Sequence, residues 1–187
     1  MRTVKLLTAI AVAALMTGCV PSIHPLYTEK DLVFDRALLG VWVSGEGDGD
    51  KTTWTFTKSG KNAYSMVSAD DGEPARFEAK LVRLGDQLYL DILPVEAPVE
   101  NDFYRSLLIR AHAFAKIRID KETLSVALMD PDWLKKQGSA LAQQGLADGG
   151  VLLTASTQEL QEFILKHGSD PALFGEPETF RRRHGGD

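Results

Sequence analysis

Cys19 carries the only thiol in this chain of 187 residues. It stands just after residues 6–16, an apolar run of Leu, Ala, Val, Ile and Met with one Thr, which itself follows Arg2 and Lys5. A positive start and a short apolar stretch make an export signal, and the run is too short to cross a bilayer, which needs ~20 apolar residues. An unpaired thiol in an exported chain calls for explanation, because oxidising compartments pair cysteines or eliminate them. Cys19 is therefore expected to have a role other than that of a disulfide partner.

The other groups able to do chemistry are scattered. His24, His112, His167 and His184 lie far apart, and no pair has the spacing of a metal-binding motif such as HExxH. His167 falls at a helix C-terminus, where an imidazolium suits the dipole, and His112 begins a strand. Asp91 interrupts the apolar strand 88–93, where burial would raise its pKa, but a two-residue period places it with Gln87 and Tyr89 on the wet face. Asp130 and Asp132 could pair as catalytic carboxylates, yet the start of a helix accounts for both. There is no Gly-x-Ser-x-Gly and no glycine-rich phosphate loop before a helix. The expectation is therefore no catalytic residue, no metal ligand and no cofactor.

The stretch Leu15-Met16-Thr17-Gly18-Cys19 resembles the lipobox of bacterial lipoproteins, with Met16 where that family more usually has Leu. The resemblance implies cleavage between Gly18 and Cys19, a diacylglyceryl group on the Cys19 sulfur and acylation of the new amine. Two or three acyl chains, at ~0.8 kcal/mol per buried CH₂, make an effectively permanent anchor. Val20 follows where an inner-membrane retention signal would place Asp, which implies the outer membrane with the domain facing the periplasm. Residues 1–18 are thus expected to be a signal peptide, and 19–34 the anchor and a tether, with Pro21 and Pro25 in it.

Residues 35–187 form one ordinary domain by length. Losing Arg2 and Lys5 takes Lys and Arg from 21 to 19 against 26 Asp and Glu, so the net charge moves from −5 to −7. That balance argues against nucleic acid or an anionic lipid surface as the main partner. The basic run Arg181-Arg182-Arg183 is expected to be a solvated end. Residues 45–50 alternate Gly and acidic residues but lack the spacing of a calcium loop.

Asp35 opens a single helical turn that closes at Gly40 and leads into a strand at 41–43. From Thr52 the period is two. Strands are expected at 52–58, 62–69, 75–84 and 87–93, with Gly85-Asp86 as a two-residue hairpin turn. Phe103, Tyr104, Leu107, Leu108 and Ala111 have the spacing of a helix stripe that would cover one end of the sheet. Strands resume at 112–119 and 123–129. A helix capped by Asp130 is expected to run through Leu134 and Leu141 to Gly145, followed by a strand at 149–155. Ser156-Thr157-Gln158-Glu159 is a capping box for a helix ending at Gly168, and Phe174 and Phe180 are expected to pin the tail to the core. These elements define an α+β, mostly β fold: an antiparallel meander forming a barrel or strongly curved sheet, with two C-terminal helices packed against it.

The passages Ser22-Ile23-His24-Pro25-Leu26-Tyr27-Thr28, Leu39-Gly40-Val41-Trp42 and Leu152-Leu153-Thr154-Ala155-Ser156-Thr157 resemble those of a family of bacterial lipoproteins with no assigned activity. Gly40-Val41-Trp42 at the first strand of a meander also resembles the Gly-x-Trp of lipocalins, a resemblance that implies a barrel whose base the Trp closes. Three functional expectations follow, the third being an enzyme of unrecognised type. The first is a lipid-anchored, non-enzymatic envelope protein that binds or supports another envelope component. The alternative is a carrier of a small apolar ligand or lipid, with Trp42, Trp54, Phe56 and Tyr64 lining its interior and residues 103–111 as a lid.

Overall fold

The computed structural model describes residues 20–45, 51–70, 73–95, 100–136, 141–144 and 150–184. Gly18 and Cys19, with the rest of the expected signal peptide, lie outside the described residues, as do residues 46–50 and most of the stretch 137–149. Two short strands, β1 (Pro21–Ser22) and β2 (Leu32–Val33), precede a meander of seven: β3 (Gly40–Val43), β4 (Thr53–Lys58), β5 (Tyr64–Asp70), β6 (Glu73–Leu84), β7 (Gln87–Pro94), β8 (His112–Ile119) and β9 (Thr123–Leu128). Each pairs antiparallel with the next. The strands follow the expected period because threonines and aromatics alternate in β4 and charged with apolar residues in β6, a pattern that suits a sheet with two unlike faces. The hairpin between β6 and β7 turns on Gly85-Asp86, flanked by the pair Leu84 and Gln87, with Gly85 at φ 57° as this tight turn requires.

Three further strands follow: β10 (Ala142–Gln144), β11 (Val151–Leu153) and β12 (Glu178–Arg183). β12 pairs antiparallel with both β9 and β3, so β3 to β9 together with β12 close an eight-stranded barrel. Phe174 and Phe180 pin the tail to the core as expected, and this strand corrects one expectation about the tail. Phe180 belongs to the barrel wall, pairing with Leu124, and the run of three arginines is strand, not a free end.

The interior of the barrel is filled. Phe56 meets Met66 across β4 and β5, Leu81 meets Leu90 across β6 and β7, and Trp42, Tyr64 and Phe180 complete a cluster that is shielded from solvent. Burying side chains of this size stabilises the fold by about 1.5–3 kcal/mol each before entropy is counted.

A second core lies on the outer wall. Of the described helices α1 (Asp102–Ser106), α2 (Pro131–Lys136) and α3 (Thr157–His167), the last opens on the expected Ser156 and Glu159 capping box. It buries Leu160 and Ile164 in a cluster that includes Val82, Tyr89 and Phe114 on the outward faces of β6, β7 and β8. α2 begins as expected, with Asp130 Oδ1 accepting from the amides of Asp132 and Trp133. It does not continue to residue 145, because residues 142–144 form β10, paired with β11. The stripe expected to cover the sheet end is also different: α1 is one short turn, and Phe103, Tyr104, Leu107 and Leu108 stand in solvent.

The N-terminal segment is no tether in the folded protein. β1 lies between β8 and β11, with Ser22 opposite His112 on one side and Leu153 on the other, and Val20 and Leu26 are buried. The chain then crosses the barrel base: β2 pairs with the end of β6, and the turn after Asp35 leads into β3.

Candidate functional site

β7 and β8 bring together the two groups of the chain best suited to proton chemistry. Asp91 and Phe114 are paired in register, so Asp91 and His112 lie diagonally on the same outward face. His112 Nδ1 is 2.6 Å from Asp91 Oδ1, and Asp91 Oδ2 accepts a 2.8 Å hydrogen bond from the Leu26 amide. Asp91 therefore points outward as its period required, but it is 1 % exposed and not on a wet face. What covers it is the N-terminal segment, which no local pattern around residue 91 announces.

The surroundings are polar on one side. Lys80 is opposite Asp91 in β6, its Nζ 3.1 Å from Glu78 and 5.8 Å from the ring centre of Tyr27. Burial, followed by the charges of Asp91, Glu78 and Glu29, pushes the Tyr27 phenol above its ordinary value. A carboxylate on Nδ1 is the arrangement that orients an imidazole for proton transfer at Nε2. The hydroxyl on the paired strand, Ser22, is fully buried and donates to the His24 carbonyl at 2.7 Å. The group Asp91, His112 and Leu26 is thus a clamp: it fixes the N-terminal segment to the barrel wall through hydrogen bonds of a buried carboxylate. Thr157 and Gln161 of α3 extend it, donating to the carbonyls of Pro25 and Leu26.

The expected ligand-lining residues divide. Trp42, Phe56 and Tyr64 are brought together inside the barrel, each at most 1 % exposed, and they occupy its interior by packing on one another and their neighbours. Trp54 is half-buried, pairs with Trp42 and meets the Phe180 ring at a tilt, 4.7 Å between centres. The Tyr64 hydroxyl accepts from the Asp35 amide and donates to the Asp35 carbonyl, which ties the crossing segment to β5. Burial holds that phenol above its ordinary value.

Arg182 closes the base. Its guanidinium lies 4.1 Å from the centre of the Trp42 ring and donates from Nε to Lys121 O, from Nη1 to Leu39 O and from Nη2 to Ala37 O. Gly40 makes this possible twice over. Its φ of 120° is open to glycine, and a Cβ there would stand 3.0 Å from Arg182 Nη1.

The remaining histidines are dispersed. His167 ends α3, as its sequence position implied, and packs on Phe163 and Trp133. His184 meets Glu122 at the surface, and His24 is exposed. Among the described residues no three His, Cys, Asp or Glu side chains converge as a metal site would require.

One exposed segment is strongly apolar. Residues 101–110 are all exposed, and Phe103 and Ile109 are each 76 % accessible. A scan of protein families and searches of curated proteins and solved structures find no match to this chain.

Proposed function

We propose that this is a lipid-anchored protein of the bacterial cell envelope, non-enzymatic, whose barrel is a rigid body that binds or supports another envelope component. The observation that carries this reading is the filled barrel interior: Trp42, Phe56 and Tyr64 pack where a carried ligand would sit. A site for another molecule is therefore sought on the outside. Gly40-Val41-Trp42 on the first barrel strand, with Trp42 at the base, supports a lipocalin-like barrel whose interior has been given over to core.

The export signal, the lone Cys19 and the packing of Val20 to Ser22 directly after it support an anchor at Cys19, in the outer membrane facing the periplasm. The Asp91 and His112 pair is consistent with a non-enzymatic role, since both carboxylate oxygens are engaged in holding the chain.

Labelling cells with a clickable fatty acid tests the anchor. The label is expected on the wild-type protein in the outer-membrane fraction and lost from a Cys19→Ser protein; label retained by the variant overturns the anchor. Native mass spectrometry of the intact protein from its host tests the rest. A stoichiometric apolar ligand would restore the carrier reading, and a copurifying envelope protein would identify the component.

A further inference from the structure

The N-terminal segment lies on the barrel as a bound peptide would. Pro21 and Ser22 sit between β8 and β11, and the Ile23 amide donates to the Leu153 carbonyl at 3.0 Å. Asp91 holds the Leu26 amide, while Thr157 and Gln161 donate to the carbonyls of Pro25 and Leu26. Val20 and Leu26 are buried in the second core. Residues 20–26 are thus gripped from β7, β8, β11 and α3, and the grip starts at the residue bonded to Cys19.

We propose that the bond between Gly18 and Cys19 is cut only while residues 20–31 are off the barrel wall, so that docking of this segment follows processing and closes the site. The proposal rests on the reading of Cys19 as the acylated residue, and two arguments support it. The first is steric. Hydrolysis adds water across the Gly18–Cys19 amide, leaving a carboxyl on Gly18 and an amine on Cys19, and a peptidase grips such a bond through free, extended chain on both sides of it. In the docked state the chain beyond Cys19 is already taken: Val20 is buried and Pro21 is paired with Ala113. The second is reach. A peptidase that handles a lipid-bearing residue works at the bilayer, and a barrel whose wall begins one residue beyond the bond stands in its way. Releasing residues 20–31 frees roughly 40 Å of chain at full extension, as far as Leu32, where pairing with β6 begins. The hold on the segment is local, a two-residue strand and hydrogen bonds from three side chains, so it opens at a lower cost than the barrel.

The test uses the full chain of 187 residues, made while the host peptidase is inhibited, folded in detergent and then given detergent-solubilised host membranes as the source of lipid and enzyme. Conversion is read by mass as the loss of residues 1–18, and hydrogen exchange at the Leu26 amide gives the open fraction of the segment. Where opening and closing are fast, cleavage follows that fraction. Asp91→Ala, which leaves the buried Leu26 amide without its acceptor, is expected to raise both by roughly 5- to 150-fold. Gln161→Ala keeps Asp91 and serves if that variant fails to fold; it is expected to raise both by roughly 2- to 10-fold. Arg183→Ala, on an exposed residue of β12, should change neither. A folded variant whose exchange at Leu26 has risen but whose conversion matches wild type overturns the proposal and leaves the anchor standing. Wild-type chain diluted from urea straight into the membranes, before it folds, is expected to be cut faster than the folded chain. A chain left whole there as well removes the acylation reading, and the order of docking with it.

Discussion

The guanidinium of Arg182 lies over the indole of Trp42, 4.1 Å from its centre, and its three nitrogens each reach a different backbone carbonyl. One side chain thereby joins the last barrel strand, the turn between β8 and β9 and the segment that crosses the base.

Arg182→Ala is expected to destabilise the protein by about 2–3 kcal/mol, the sum of a shielded cation–π contact and charged hydrogen bonds to carbonyls left without donors. Arg182→Lys recovers only part of this, because an ammonium cannot span the three acceptors. Arg183→Ala, on an exposed neighbour, should change stability by less than about 0.5 kcal/mol. Urea unfolding of the three variants checks the order, and an Arg182→Ala protein as stable as wild type would remove the clasp from the account.

Asp91→Ala leaves the Leu26 amide and the His112 ring without their buried partner and should reduce stability by about 3 kcal/mol. The local effect is the sharper readout. Hydrogen exchange at Leu26 should rise more than exchange in β4 and β5, since the clamp opens before the barrel does. Asp91→Asn keeps an acceptor and is expected to fall between the two. Uniform loss of protection across the barrel would show that Asp91 supports the whole fold and not the segment alone.

Phe56→Ala deletes a ring from a close-packed interior and should cost about 3–5 kcal/mol. The cavity it leaves, surrounded by Met66, Tyr64 and Trp54, is apolar. An apolar dye is therefore expected to bind the variant in its barrel and not the wild type. Equal binding to both proteins would show that the native interior already accepts a guest.

Acid should weaken the start of α3 and the turn before β2. Hydrogen bonds from the Ser156 hydroxyl and amide hold the Glu159 carboxyl below its ordinary value. For Asp31, burial alone would raise the value, but hydrogen bonds from Thr28 and Gln161 and the charge of Lys30 prevail and lower it. A pKa lower in the folded than in the unfolded state stabilises fully above the unfolded carboxylate range, about 4, and the gain fades as pH falls through the folded value. The urea midpoint is expected to be flat from neutrality to about pH 5 and to drop below about 4. Ser156→Ala should lower the midpoint at neutral pH and shrink that acid drop. A drop of unchanged size in Ser156→Ala would place the acid sensitivity elsewhere.

The strands were legible where two faces differ strongly in polarity. In β6 charged and apolar residues alternate, and in β4 Trp54 and Phe56 alternate with threonines, so register and inward face follow directly. β12 was hidden because only Phe180 marks its inner face among charged residues, and Arg182 counts as polar until the Trp42 face beneath it is known. The pairing of His112 with Asp91 needs the register of two strands, and the burial of Asp91 needs Leu26, 65 residues earlier. Residues 103–109 have helical spacing, but spacing identifies an apolar face without saying what meets it. The short helix is there, and the sheet end is not its partner.

The closing strand is also the last part of the described chain to be synthesised, and that sets a condition on assembly. Until β12 is available, β3 and β9 each present a row of unpaired amides and carbonyls, which invites pairing with another chain. Contacts between residues 41 and 183 also make the topology strongly non-local, which slows folding and lengthens that exposure. A chain truncated before Glu178 would keep seven of the barrel's eight strands and should accumulate as aggregates, because it retains two sticky borders that nothing remaining in it can seal.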